Sequence, residues 1–524
     1  MQDNNQYVNI PREKFEFANH GERITDHKFV DKPIGYFKDA WMRFCRNKAS
    51  IVAAIIILII VLFAFLTPLL TVKYDATFLD TYYQKMGPRN LTLKKIGMAD
   101  GGIERKFSEK GLISIYAIGM GALDYDGKGV TLAESLDSEY QPVIKNNGLN
   151  GDANNPQSRY EVRVDTYLEV GFLYLSIERE EYDRIVEWEK QTGKHVLYPL
   201  VEINEYNPDP TSTKGNYWYK ANSKYEPVRV LEDGSVKKIK LSDNMILEDN
   251  YKRNADGSLK YYEYTGGGTT ETAMYKVRVL YYNYYQFKNG FEPEYIFGTD
   301  SQGYDMSLRL ANGVRLSLLV SVCVSVINFV IGAVYGAVQG YYGGTIDLVL
   351  DRISDVLSGV PFIVVATLFQ IHLAAKVGAI PSLLFAFVLT GWIGTSALVR
   401  KQFYRFKNSE YVMAARTLGA SDRRIIMKHI FPNSLGTIIT SSVLVIPGVI
   451  FSESMLSFLG IIKLGGSTTT SLGTLLSDAS SIWTNYPHLM LFPALIISLL
   501  EISFNLFGNG LRDAFNPSLR GVEE

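Results

Sequence analysis

Residues Ile51–Leu70 form a run of 20 residues without a single charge. At ~1.5 Å of helical rise per residue, about 20 apolar residues cross a hydrocarbon core roughly 30 Å thick, so this run predicts a membrane-spanning helix. A cleaved secretory leader is the competing reading. The run starts at residue 51, is longer than the roughly 7–15 apolar residues of a leader, and has no small-residue cleavage site after it. An uncleaved anchor is therefore expected. Five further apolar runs predict spans at about Leu316–Val338, Val356–Ala374, Pro381–Val399, Leu435–Phe451 and His488–Phe507. Gly332, Gly336, Pro361, Gly391, Pro447 and Pro493 lie inside them. Such residues weaken helices in water, but bundles in lipid tolerate them, and small residues allow close approach. The expected fold class is an α-helical polytopic membrane protein with six transmembrane helices. A large extracytoplasmic insertion, mainly β or α+β, is expected between the first and second.

Orientation follows from lysine and arginine near the span ends. Residues 1–49 carry nine, and 400–433 carries eight against two acids. Six spans then put both termini and the basic 400–433 loop in the cytosol of a plasma-membrane protein. The expected organisation is a cytosolic segment 1–49 with an interfacial helix, a first span within 50–72, an outer insertion 73–295, a five-helix core 296–520 and a cytosolic tail 521–524. With 53 basic and 54 acidic residues and no basic stripe, the chain gives no sign of a nucleic-acid partner. Cys45 and Cys323 form no CxxC or Cys/His cluster, which argues against a disulfide scaffold and a zinc site.

Segment 73–295 holds 25 of the 34 tyrosines and no cysteine. Alternation in Tyr160–Val170 and Met274–Phe287 reads as strands with one buried face, while Gly151–Pro156, Asn254–Gly257 and Thr265–Thr270 read as turns or loops. Glu178–Lys194 reads as one amphipathic helix. The tyrosines suit strand and core positions, and a recognition surface is the sharper alternative.

Between the fourth and fifth spans lies Asn408–Ser434. Asn408 or Ser409 is expected to cap a helix beginning near Glu410, whose carboxylate favours the helix dipole. Ala414, Ala415 and Leu418 give that helix a small apolar face. Gly419 suits the left-handed position just past its end, and Ser421 is expected to cap a second helix that Pro432 feeds into the next span. A helix–break–helix lying along the membrane would offer a compact surface to a cytosolic partner.

The order Glu410, Ala414, Ala415, Gly419, then Ile430-Phe431-Pro432, resembles the EAA loop of ABC importer permeases. More narrowly, the chain resembles the C-type permease subunits of dipeptide, oligopeptide and nickel importers. Phe297–Asp305 is similar to that family's GTDxxGRD stretch, Glu453–Ile461 to its ESxLSFLGL segment, Phe504–Arg520 to its C-terminal NLLGDGLRDxLDPRLR, and Trp41–Val52 to its basic approach to the first span. The matches cover 36–72 and 297–520. Tyr304 replaces the usual arginine, Asn509 and Asn516 replace aspartates, and the insertion is far longer than in compact members.

The resemblance implies that Glu410, Ala414, Ala415, Arg416, Gly419 and Ser421 contact an ATPase partner as a coupling element. It implies no cofactor on this chain, with ATP and Mg held by two cytosolic ATP-binding subunits. A second homologous permease, an extracytoplasmic peptide-binding protein and membrane lipid complete the expected partners. The chain itself has no GxxxxGK[ST] motif and no Ser/His/Asp or paired-carboxylate arrangement, so an enzyme is not expected. Polar residues inside spans usually face the bundle interior or a water-filled path; on that ground Glu501, Asn505, Asn328 and Gln370 are candidates for the translocation path, and His372 reads as interfacial. The expected cargo is an oligopeptide, since no His/Cys-rich path suited to nickel is visible. A dipeptide, nickel or other small-solute importer is the alternative within transport, and a peptide-sensing receptor that does not transport is the alternative outside it.

Overall fold

The structure is a computed structural model that describes residues 36–71, 73–74, 77–151, 157–207, 215–266, 273–466 and 469–515. Segment 1–35, most of the Gly151–Pro156 and Thr265–Thr270 turns, Asn516 and the tail 521–524 lie outside the described residues.

An amphipathic helix, Tyr36–Arg46, comes first, with Arg43 and Asp39 paired one turn apart at 3.0 Å. The chain breaks at Asn47, whose side chain accepts from the N–H groups of Ala49 and Ser50 and so caps the first span, Lys48–Leu70. Phe44 of the leading helix meets Phe507 edge-on at 5.2 Å, and Ala40 and Phe44 bury against Ala514. The start of the first span is thereby tied to the end of the last.

Among the described residues, five helices are long and apolar enough to cross a membrane: Lys48–Leu70, Met306–Tyr342, Ala379–Phe406, Asp422–Phe458 and Pro487–Phe515. A sixth crossing exists only if the pair Gly344–Ser358 and Phe362–His372, bent by 73°, counts as one span. The straight helix expected at Val356–Ala374 is thus corrected to a broken one. Pro361 has no N–H to continue the helix and excludes the helical conformation at the residue before it. It adopts an extended backbone (φ −60°, ψ 127°) and starts the second helix. Met306–Tyr342 is also much longer than the expected Leu316–Val338. At ~1.5 Å per residue its 37 residues reach roughly 55 Å, well past a hydrocarbon core.

Met306–Tyr342 packs along Ala379–Phe406 through a spine of Gly332, Gly336 and Gly340, one every four residues and so on one helix face. A Cβ on Gly336 would lie 2.3 Å from the Ser396 carbonyl oxygen, and one on Gly340 would lie 2.6 Å from Phe403 Cβ. Small residues at this spacing let two backbones approach, which in lipid substitutes for the missing hydrophobic drive. Ser396 Oγ donates to Gln339 Oε1 across the same seam at 3.0 Å.

Between the first span and Met306–Tyr342 the chain forms an α+β body. Strands β1 (Gly102–Phe107), β2 (Val143–Asn150) and β3 (Arg159–Asp165) make an antiparallel sheet in the order β1-β3-β2. Strands β4 (Phe172–Glu178), β5 (Leu197–Tyr198), β8 (Tyr262–Tyr264) and β9 (Met274–Leu280) make a second around β9, and β6 (Val228–Val230) pairs with β7 (Val236–Lys238). The helix Glu109–Leu123, absent from the sequence reading, has ten buried residues, eight of them in one of the two cores here. The expected helix forms over Arg179–Thr192, ends on left-handed Gly193 (φ +70°) and buries Ile185.

Two expected strands are shorter than their alternation suggests. The Tyr160–Val170 strand ends at Asp165, which caps the helical turn Thr166–Glu169 by accepting from the Tyr167 N–H at 3.0 Å. The Met274–Phe287 strand ends at Leu280, and Tyr281–Asn289 is a helix. A strand sends neighbours to opposite faces, whereas this helix buries Tyr281, Tyr282 and Tyr285 together. Their hydroxyls find Asp80 at 2.7 Å, Glu292 at 3.0 Å and Tyr74 at 3.3 Å respectively. The tyrosines named here are therefore core residues.

The segment joining this body to the bundle, Phe297–Asp305, uses its glycines for close approach. Gly298 (φ +79°) and Gly303 (φ +104°) would each place a Cβ within 2.1 Å of a backbone oxygen, of Met86 and Asp80 respectively. Asp300 accepts from the N–H groups of Gln302, Gly303 and Tyr304 and pairs with Arg309 at 2.9 Å. Asp305 then caps Met306–Tyr342 through the Ser307 N–H at 2.8 Å.

Candidate functional site

The loop after Phe406 folds as helix, turn, helix. Glu410–Thr417 is the first helix, with Ser409 in an extended cap conformation (φ −71°, ψ 151°). The expected side-chain cap does not form, because Ser409 Oγ donates instead to the Phe406 carbonyl at 2.6 Å. At the other end Gly419 is left-handed (φ +81°). Its N–H bonds the Arg416 carbonyl at 3.0 Å, and the Ala420 N–H bonds the Ala415 carbonyl at 3.1 Å. These two bonds are the paired closure of a Schellman motif, which only a residue at ease with positive φ completes cheaply. Ser421 is likewise extended (φ −65°, ψ 154°) without a side-chain cap bond, and the second helix starts at Asp422.

That second helix runs from Asp422 to Phe458, so the expected feed at Pro432 is a continuous helix. It widens over Ile425–Ile430 to a π-helix, and the Phe431 N–H reaches back five residues to Ile426. Pro432 explains the widening: its ring would clash with the Lys428 carbonyl, and it donates no hydrogen bond.

Val412, Ile425 and Ile430 bury the inner face of this unit against Val399 and Phe403. The outer face is left open. Glu410, Ala414, Arg416, Gly419 and Ser421 are exposed, Ala415 is half-buried, and Leu418 is 88% exposed beside exposed Tyr411 and Met413. The structure thus brings the six loop residues into one short unit. Tyr341, at the end of the 37-residue helix, donates to the Asp422 carboxylate and ties the unit to the bundle. The loop and the α+β body sit at opposite ends of that helix.

Of the four residues expected along a path, Glu501 and Asn505 lie on one helix, Pro487–Phe515, while Asn328 and Gln370 lie on two others, Met306–Tyr342 and Phe362–His372. Asn328 is buried against Gly391, and its Oδ1 has no hydrogen-bond partner among the described residues. Gln370 Nε2 donates to the Ala379 carbonyl at 3.0 Å. Asn505 Nδ2 donates to the Glu501 carbonyl at 2.9 Å, on the same helix. Sequence reasoning missed Glu453, 1% exposed, which accepts from Ser317 Oγ at 2.9 Å and Ser457 Oγ at 3.0 Å and joins two spans. A carboxylate in an apolar run was the available signal, but the expected span stopped at Phe451.

Two stretches of the chain match known family models. Residues 329–521 match the binding-protein-dependent transport system inner membrane component, and residues 35–88 match the N-terminal TM domain of oligopeptide transport permease C. The oligopeptide transport system permease protein OppC of Bacillus subtilis (strain 168) is 38% identical over 224 residues, 43% of this chain and 72% of that protein. The dipeptide transport system permease protein DppC of the same organism is 42% identical over 226 residues, 43% of this chain and 69% of that protein. An inward-facing MetNI methionine ABC transporter structure aligns at 16% identity over 40% of this chain and 98% of that one, with a TM-score of 0.35. The polytopic helical core and these matches agree: the chain belongs to the C-type family of oligopeptide and dipeptide ABC permeases.

Proposed function

We propose that this chain is the permease subunit of an ATP-driven peptide importer and that Glu410, Ala414, Ala415, Arg416, Gly419 and Ser421 couple it to the ATPase. The open face of Glu410–Thr417 is the observation that carries this reading. Leu418, Met413 and Tyr411 leave apolar surface in water on a helix anchored from below by buried Val412. A solvated connector has no use for such a face, whereas a docking groove does. Arg416, Arg423 and Arg424 surround it with positive charge.

In this proposal two cytosolic subunits bind ATP and Mg and hydrolyse ATP, and this chain has no ATPase site of its own. A second permease completes the bundle, and an extracytoplasmic protein delivers peptide. Both termini and the loop face the cytosol, and segment 73–295 faces outside. Differential binding of the loop to open and closed ATPase dimers biases the bundle between inward and outward states. Glu501, Asn505, Asn328 and Gln370 remain path candidates, as lining contributed by three helices.

The test is uptake of a labelled oligopeptide by cells carrying wild type or Gly419→Pro, at equal membrane levels of the complex. Proline cannot adopt φ near +81° and lacks the N–H that bonds Arg416. Uptake is expected to be lost with assembly intact. Unchanged uptake would overturn the proposal.

A further inference from the structure

A cleft of about 390 Å³ opens where the α+β body meets the start of the last span, lined by Tyr82, Lys85, Arg105, Glu169, Leu173 and Tyr486 among others. That volume falls in the range of small-ligand pockets. Its charge is uneven. Arg105 Nη1 lies 2.6 and 2.7 Å from the two Glu169 oxygens, which neutralises both groups. Lys85 has no ion pair among the described residues; its ammonium lies 5.7 Å from the centroid of the Tyr486 ring, which the Arg105 guanidinium also approaches to 5.0 Å. Among the described lining residues, two cations stand against one carboxylate, a net positive charge beside an aromatic wall.

The backbone points the same way. Lys85 is one of three non-glycine residues at positive φ among the described residues, at +61°, and is held there by its N–H donating to the Asp300 carbonyl at 2.9 Å. Left-handed backbone at a residue other than glycine costs of order 1–2 kcal/mol, and such strain gathers at functional sites. Here it places a long cationic side chain at the seam between insertion and bundle, where asparagine or glycine would fit with less strain.

We propose that this cleft binds the C-terminal carboxylate of a short peptide on Lys85, with the peptide body against Tyr486 and Tyr82. The proposal rests on the peptide-import reading and deepens it by adding a peptide site on the insertion, remote from the coupling loop. The ligand chemistry is a carboxylate beside an apolar body. A peptide terminus and an acidic side chain of a docked protein both supply it, and the concave shape and small volume favour the former.

The experiment measures calorimetric binding of trialanine to the full chain in its assembled complex, in wild type, Lys85→Asn and Tyr486→Leu. Asparagine tolerates the left-handed backbone, so Lys85→Asn removes the charge without adding strain. Trialanine is expected to bind at least tenfold more weakly to each variant. Trialanine amide is expected to bind at least tenfold more weakly than the free acid to wild type and to be insensitive to Lys85→Asn. No binding to wild type, or equal binding of acid and amide, would overturn the site. A blocked peptide whose only carboxylate is a glutamyl side chain tests the other source. Should it bind as well as trialanine and lose affinity equally in Lys85→Asn, the cleft takes an acidic side chain and the terminus assignment falls. Uptake of labelled trialanine is measured in parallel. Normal uptake with binding indifferent to Lys85 rejects the cleft and leaves import standing. Absent uptake with Lys85-dependent binding rejects import by this complex and leaves the cleft standing.

Discussion

The hydroxyl of Tyr341, in the last turn of Met306–Tyr342, donates to the carboxylate of Asp422, the first residue of the helix that follows the Gly419 turn. One hydrogen bond thus connects the long span to the second half of the loop. Tyr341→Phe keeps the ring and removes the bond. The expected cost to folding is about 1 kcal/mol, since the bond is only partly buried. Peptide uptake per ATP hydrolysed is expected to fall severalfold, as measured in proteoliposomes of the assembled complex.

Gly336 faces the Ser396 carbonyl with no room for a Cβ, while a Cβ on Gly394 would meet nothing within 4 Å. Gly336→Ala is therefore expected to lower stability by roughly 1–3 kcal/mol, the usual cost of overpacking. Gly394→Ala is expected to be neutral or slightly stabilising through helix propensity. Thermal unfolding of both variants in the same detergent checks the difference.

Glu453 is held by Ser317 of one span and Ser457 of its own. Glu453→Gln keeps an acceptor in place, whereas Glu453→Leu strands two hydroxyls at a cost of about 1–3 kcal/mol for each left without another partner. The expected order of melting temperatures is Gln above Leu. A leucine variant as stable as the glutamine variant would show that the hydroxyls find other acceptors.

Burial beside Asp300 raises the Asp305 carboxyl from 3.8 to about 6. The folded state then holds the proton more tightly than the unfolded chain, so the stabilising contribution is complete below about pH 4 and disappears as pH rises through about 6. At about 1.4 kcal/mol per unit, the loss approaches 3 kcal/mol. Asp305→Asn still caps the helix but does not titrate. Its stability relative to wild type is expected to rise by up to that amount between pH 4 and pH 7, as followed by chemical unfolding.

Leu418 is 88% exposed and packs on little within the chain. Leu418→Ser is expected to change stability by under about 0.5 kcal/mol, the range of ordinary surface substitutions. Co-purification of the ATPase subunits is expected to drop tenfold or more. Retained assembly with full uptake would remove Leu418 from the proposed docking face.

The long spans were legible because hydropathy accumulates over about 20 residues and needs no partner. The loop was legible for a different reason: Gly419, flanked by helix formers, marks a local backbone requirement, and local requirements are written in local sequence. Ser409 and Ser421 were right as cap positions but wrong as capping side chains, since the Ser409 hydroxyl had a nearer acceptor in Phe406. The π-widening before Pro432 was not foreseen, although proline itself provides its cause.

By itself, then, the sequence determined a polytopic membrane protein, the place of its large insertion and a helix–turn–helix loop of recognisable family. Only the tertiary structure decided that Tyr281–Asn289 is a helix, that Glu453 bridges two spans and that Lys85 and Arg105 both approach the Tyr486 ring at one cleft. The reason is physical. Apolar length and turn chemistry act within a few residues of the chain. The burial of a tyrosine, a carboxylate or a lysine is decided by groups as far away as Asp80 is from Tyr281, and Lys85 from Tyr486.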